Sequence, residues 1–208
     1  IQSVNVSTPQ IEYQIAEMAK SCEIEDAVGF YYFQKGHGFY QLSIGDKTFV
    51  YDATTKFWHT RATGEDNHRH PAQCYAFFNK KHLVGHYARG QILSLSYDTY
   101  TNNGEHFKAI RAAQAVHAER KRIFHNQLEI ELESGVGVDA STDPEAILEW
   151  SDDGGNTWSS EHTATFGAAG EYGKRCIWQR LGNSRVRIYR VTIDDPVKRV
   201  IIGANLDA

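Results

Sequence analysis

VGFYYFQ-KGH-GFYQLSI-GDK-TFVYD-ATT-KFWHTR, residues 28–61, decides the fold. Its four short runs, Val28–Gln34, Gly38–Ile44, Thr48–Asp52 and Lys56–Arg61, are rich in aromatic and β-branched residues, which suit a pleated, half-buried surface. The separators Lys35-Gly36-His37, Gly45-Asp46-Lys47 and Ala53-Thr54-Thr55 are of hairpin length and hold turn-forming residues. The stretch predicts an antiparallel meander.

A second group follows the polar stretch Gly64–His70: Gln73–Phe78, Lys81–His86, Gln91–Tyr97 and a run near Thr99–Thr101, with turns at Asn79-Lys80 and Ala88-Arg89-Gly90. Tyr51-Asp52 and Tyr97-Asp98 hold comparable places in the two groups, with Thr55 and Thr101 three residues on. Two groups of four short strands at this period are what propeller blades show, and no crossover helices stand between them as a parallel sheet requires. Before the strands, Ser7 or Thr8 can cap a helix that has Pro9 in its first turn. Ile11, Ile15, Met18 and Ala19 share one of its faces, and it ends near Cys22.

Residues 105–119 fit either a helix face or an extended connector. Beyond them Arg122–Glu133 alternates apolar and acidic residues, as a strand with one wet face does. Further strands are expected near Ala146–Ser151, Thr157–His162, Arg175–Leu181, Arg185–Asp194 and Arg199–Leu206. The expected fold class is mainly β: one short N-terminal helix, propeller-like four-stranded blades, then a β-sandwich-like or blade-completing region. The expected domains are 1–118, the helix with two blade-like groups, and 119–208, the C-terminal β region.

Composition agrees. Tyr (11), Phe (10), Trp (4) and Gly (17) against only 4 Pro fit many strands and tight turns. No stretch nears the roughly 18 apolar residues of a membrane helix, so a soluble chain is expected, and a start at Ile1 with a single Met, Met18, reads as a fragment. Cys22, Cys74 and Cys176 make neither a disulfide framework nor a zinc spacing and are expected as buried, inert thiols. A net charge of −4 argues against general nucleic-acid binding. The local exception is 174–199, where Lys174, Arg175, Arg180, Arg185, Arg187, Arg190, Lys198 and Arg199 face only Asp194 and Asp195 in sequence.

Ser151-Asp152-Asp153-Gly154-Gly155-Asn156-Thr157-Trp158 fits the Asp-box pattern at Ser151, Asp153, Gly155, Thr157 and Trp158. Its physics is local: the carboxylate and hydroxyl bond turn N–H groups, the glycines permit positive φ, and Trp150 and Trp158 cover the hairpin base. A sialidase-like or other glycosidase activity would need paired carboxylates or a Tyr nucleophile, and nothing singles them out. His82 and His86 lack the intervening Glu of the zinc helix motif, and His68 and His70 flank Arg69 in an expected loop. Gly135-Val136-Gly137 is no phosphate loop, and no nucleophile elbow is present. The residues point to no catalytic, cofactor or metal site, and no enzyme is expected.

Across nearly its whole length the chain resembles the packaged-DNA stabilisation proteins of short-tailed bacteriophages, which form the tail hub or nozzle below the portal. The resemblance is carried by Val6-Ser7-Thr8-Pro9-Gln10-Ile11-Glu12, Gly36-His37-Gly38-Phe39-Tyr40, Lys47-Thr48-Phe49-Val50-Tyr51-Asp52 and Phe57-Trp58-His59. It continues through Arg122-Ile123-Phe124-His125, Glu133-Ser134-Gly135-Val136-Gly137, Leu148-Glu149-Trp150, Arg180-Leu181-Gly182, Arg185, Asp195-Pro196-Val197 and Gly203-Ala204. Family members are longer, so the resemblance implies a C-terminal portion.

It further implies a structural virion protein of a phage or prophage, made in the bacterial cytoplasm, that stabilises packaged DNA as a six-fold homo-oligomeric ring. Portal or adaptor proteins and distal tail proteins are the implied partners, with DNA passing through the channel. Arg185, Arg187 and Arg190 are then expected at subunit contacts or in a DNA-facing ring. The alternative is a carbohydrate-binding or sialidase-like β-propeller module.

Overall fold

The computed structural model describes residues 5–21, 23–64, 66–119, 121–137 and 142–208. By contact density they form two units, 1–103 and 104–208. Among the described residues the fold is mainly β, with one α-helix.

In the first unit, α1 (Pro9–Lys20) is capped by Thr8, whose hydroxyl accepts the Ile11 N–H. Ile11 and Met18 are buried, whereas Ala19, expected on the same face, is exposed. The expected end near Cys22 lies outside the described residues; the last helical residue is Lys20. The quoted stretch forms β1 (Val28–Gln34), β2 (His37–Ile44), β3 (Lys47–Asp52) and β4 (Phe57–Thr63), paired in sequence order.

Two details of its turns explain the register. Lys35 and Gly36 both take positive φ, 47° and 88°, as the two-residue hairpin turn demands. Asp52 closes the third connection: its carboxylate accepts the Thr54 N–H (2.9 Å), the Thr55 N–H (3.3 Å) and the Thr55 hydroxyl (2.8 Å) and meets His37 Nδ1 at 2.7 Å.

The strands number five and three where four and four were expected. A short β5 (His68–Arg69), inside the polar stretch read as a separator, joins β4. The second sheet holds β6 (Ala72–Phe78), β7 (Lys81–His86) and β8 (Ile92–Leu95). No strand forms at 99–101, because the chain turns first, with Ser96 Oγ accepting the Asp98 N–H (3.1 Å). The likeness of Tyr51-Asp52 to Tyr97-Asp98 does not reach their roles, since Asp52 is buried and Asp98 is exposed.

The first sheet is a central layer. On one face Ile44, Phe49, Leu42 and Trp58 pack under α1. On the other, Phe30, Tyr32, Phe39 and Val50 meet Tyr75 and Leu95 of the second sheet. Period-2 alternation of two-sided apolar strands produces this arrangement.

The second unit is a β-sandwich. Residues 105–119 are extended: β9 (Ala109–Ala112) and β10 (Val116–His117) both pair with a later strand, β17 (Val186–Ile193). A domain boundary at 118/119 would part these strands from their partner, and the contact boundary falls after Asn103.

The alternating run 122–133 is two strands, β11 (Ile123–Phe124) and β12 (Gln127–Leu132). They separate because the backbone changes partners: His125 N–H bonds Gly182 C=O (2.8 Å), while Asn126 N–H bonds Asp207 C=O (2.9 Å). Next come β13 (Glu145–Ser151), β14 (His162–Thr165), β15 (Cys176–Gln179), β16 (Asn183–Ser184), β17 and β18 (Ile201–Asp207). One layer runs β10-β17-β13-β14 with β9 on β17, the other β15-β12-β18, and β11 pairs β16. Leu128, Ile130, Leu148, Phe166, Trp178, Tyr189, Val191 and Ile193 fill the space between them.

Two further expectations shift. The strand placed at Thr157–His162 begins only at His162, because the Thr157 N–H is taken by the Asp153 carboxylate. Of the thiols expected to be buried, Cys176 is, and burial pushes it up to about 12. Cys74 is exposed, and Cys22 lies outside the described residues.

Candidate functional site

The 151–158 segment is the loop of the β13–β14 hairpin, whose strands pair from Glu145↔Thr165 to Leu148↔His162. Past the last pair, Ser159 N–H still bonds Trp150 C=O (2.9 Å) and Trp150 N–H bonds Ser159 Oγ (3.1 Å). The structure brings the motif's polar residues together around one carboxylate. Asp153 Oδ1 accepts Ser151 Oγ (2.7 Å), Asn156 N–H (2.9 Å) and Thr157 N–H (2.9 Å), and Oδ2 accepts Thr157 Oγ1 (2.6 Å). Ser151 Oγ in turn accepts Gly155 N–H (2.8 Å). Gly154 and Gly155 have φ of 80° and 100°, so both need the freedom that only glycine has.

These bonds, first those from Thr157, hold the Asp153 carboxyl well below the usual carboxylate range. A carboxylate so engaged is a turn support; proton transfer needs an acid poised near the working pH.

Trp158 is positioned by charge as well as by the turn. The Arg190 guanidinium lies 3.8 Å from the centre of its ring, within range for cation–π attraction. Arg190 also grips Glu149, its cross-strand partner, through two bonds of 3.0 and 2.9 Å.

Arg187 does not stand where a subunit contact or a DNA-facing ring requires. Only 3% of its side chain is exposed. It points to the sandwich interior, donates to Asp152 (2.6 and 2.7 Å) and to the Leu181 carbonyl, and lies over the rings of Trp150 and Tyr189. The cause is register. On β17 residues 187, 189, 191 and 193 are buried, so the arginine occupies a core position and takes its counter-charge from the neighbouring motif. Arg185 is exposed, one residue before the strand.

Four more cations of the basic stripe have acceptors in the second unit. Lys174 meets Asp143 (3.2 Å), Arg175 meets Glu129 (2.7 Å), Lys198 meets Glu133 (2.8 Å), and Arg199 donates to the Asp195 carbonyl (3.0 Å). Sequence reading sees the excess of cations in 174–199 because their carboxylate partners, Glu129, Glu133, Asp143, Glu149 and Asp152, lie outside that segment. The acidic, outward positions of Glu129, Glu133 and Glu149 were the available signal.

The histidines considered as ligands are otherwise engaged. His82 Nδ1 meets the Tyr75 hydroxyl (2.9 Å), His86 Nδ1 accepts the Ala88 N–H (3.0 Å), and His68 lies between Asp46 (2.9 Å) and Asp66 (3.8 Å). Burial, with the nearby Arg61 guanidinium, holds His70 down at about 3. Among the described residues no cluster of three or more His, Cys, Asp or Glu is placed to hold a metal ion.

An open cleft of about 520 Å³ in the second unit is lined by Phe124, Asn126, Gln127, Gln179, Asn183 and Asp207, among others. Asp207 is the one carboxylate in its lining, whereas glycoside hydrolysis ordinarily uses two. Among the described residues no helix is long and apolar enough to cross a membrane.

Comparison with known proteins adds one finding. No curated protein matches the chain. Residues 108–208 match the family model described as Bacteriophage P22 Gp10, beta-sandwich, and that span coincides with the sandwich unit from just before β9 to the last residue. The chain is thus similar, through this domain, to Gp10 of bacteriophage P22, and the match supports a P22-like phage virion protein.

Proposed function

We propose that the chain is part of a phage tail hub or nozzle ring below the portal, where it lines the DNA exit path and helps retain packaged DNA. The observation that carries this reading is the match of residues 108–208 to the P22 Gp10 β-sandwich, joined to the resemblance that runs through residues 6–59. The charge arrangement is compatible with a conduit. A wall with many free Lys and Arg side chains would bind phosphates tightly and with strong salt dependence, whereas most cations of the 174–199 stripe are paired with carboxylates.

The local residue assignments follow the geometry. Ser151, Asp153, Gly155, Thr157 and Trp158 act as an Asp-box that fixes a hairpin. Arg185, exposed just before β17, is the residue we assign to a subunit or DNA contact, and Arg187 and Arg190 serve the fold. No observation favours the sialidase-like alternative, since Asp153 is consumed by the turn and the two arginines by Asp152 and Glu149.

The test is assembly. The chain and its full-length parent are weighed in solution, alone and with purified portal. Rings that form on the portal support the reading, and failure of the full-length protein to join portal or tail components overturns it. Robust turnover of a sialoside would favour the alternative.

A further inference from the structure

One end of the first unit repeats a residue pairing at three turns. The turns at 35–36 and 53–56 are joined there, since Thr54 Oγ1 donates to Gly36 C=O (3.3 Å) and accepts Gly38 N–H (3.3 Å). The Gln34 amide donates to Leu95 C=O (3.4 Å), and Lys35 lies over the Tyr97 ring. Leu95 pairs with His82, beside the third turn at 79–80.

Each turn sets lysine beside exposed phenylalanine. Phe33 (60% exposed) precedes Lys35, and Lys56 adjoins Phe57 (73%). Phe77 (61%) and Phe78 (70%) precede Lys80-Lys81 across a tight hairpin.

The lysines also sit in unfavourable backbone. Lys35, Lys56 and Lys80 have φ of 47°, 64° and 61°, a region that glycine or asparagine occupies at less cost. The sequence therefore keeps charge where a smaller residue would relieve strain. Of the carboxylates at this end among the described residues, Asp52 is committed to its turn, and Asp98 lies 3.8 Å from Lys35. Among the described residues the turns of the opposite end carry Asp46, Asp66 and Arg89 with the exposed Tyr87 and Ile92, but no exposed phenylalanine.

A ligand for this rim must offer anionic groups to the lysines and apolar volume to the phenylalanines. Duplex DNA supplies phosphates but stacks its bases away from protruding rings. An anionic bilayer supplies both: lysine stems lie along the interface with ammonium groups at the headgroups, and aromatic rings enter the acyl boundary. We propose that this three-turn rim docks on an anionic lipid surface. The inference does not rest on the tail role.

The test is co-sedimentation of the 208-residue chain with phosphatidylcholine vesicles and with mixed phosphatidylcholine–phosphatidylglycerol vesicles. Binding is expected on the mixed vesicles, weak on the neutral ones, and reduced by added salt. Lys80→Glu with Lys81→Glu, and separately Phe77→Ser with Phe78→Ser, should each weaken it at least about tenfold without moving the thermal midpoint. Lys56→Glu with Phe57→Ser, in a different hairpin, gives the same reading should the first hairpin misfold. Absence of binding to mixed vesicles, indifference to the phenylalanine changes, or lysine-dependent capture of duplex DNA in place of vesicles overturns the proposal.

Discussion

Arg187 on β17 and Asp152 in the β13–β14 loop form a two-pronged ion pair, 2.6 and 2.7 Å, across the base of the hairpin. Through it the loop is locked to the middle strand of the sandwich: Arg187 is interior, Asp152 is part-exposed, and Trp150 lies beneath the guanidinium. Removing the arginine leaves the Leu181 carbonyl and the carboxylate without their donor. Arg187→Ala should therefore destabilise the second unit by about 2–3 kcal/mol. Asp152→Asn should cost less, about 1–2 kcal/mol, because its amide oxygen can still accept from the guanidinium although the interior charge loses its counter-ion. Urea unfolding followed by tryptophan fluorescence measures both, and equal effects would contradict the asymmetry.

Asp153 gathers four hydrogen bonds within its own loop. Asp153→Ala should lower the thermal midpoint, with Asp153→Asn between it and the parent, because an amide oxygen keeps part of the acceptor set. Circular dichroism melting checks this; an unchanged midpoint for Asp153→Ala would show that the loop does not need its carboxylate.

Asp52 makes the first unit acid-sensitive. Burial opposes its charge, yet bonds from His37, Thr54 and Thr55 hold it near 2, below the ordinary 3.8. A carboxyl depressed in the fold adds stability above its unfolded value and loses it as pH falls through the folded one. The stabilisation should be complete above 3.8 and disappear toward about 2. Urea midpoints measured across that window should fall, and Asp52→Asn should flatten the fall. An unchanged slope in the variant would count against the assignment.

Gly167 sits at φ +108°, and an added Cβ would approach the Glu171 carbonyl to 2.8 Å. Its N–H also bonds Asp143 (2.8 Å). Gly167→Ala should destabilise by about 1–3 kcal/mol, whereas Gly173, with open space around it, should accept alanine with little change. Equal melting temperatures for the two variants would contradict this reading of the loop.

Much of this architecture was legible because its signals are short-range. Alternation in residues 28–61 and the turn residues between the runs determine β1–β4, and the 151–158 pattern locates its hairpin. What escaped involves distant partners. Arg187 looks like a surface cation until β17's register turns it inward, and only Asp152, 35 residues away in sequence, makes that position tolerable. His125 and Asn126 continue an alternating run, yet their backbones bond to two different distant residues, Gly182 and Asp207, so one apparent strand became two. The extra strand β5 is met by Asp46, which takes the Arg69 N–H and contacts His68, and the one local miss is 99–101, where Ser96 Oγ takes the Asp98 N–H and the chain turns.

The central claim is that this is a structural protein of a phage particle. Quantitative mass spectrometry of purified particles produced by the encoding genome tests it most directly. Peptides spanning residues 1–208 should be present in fixed ratio to the portal protein and should remain with tails separated from heads. Particles that contain portal and tail proteins but no peptide from this chain would contradict it.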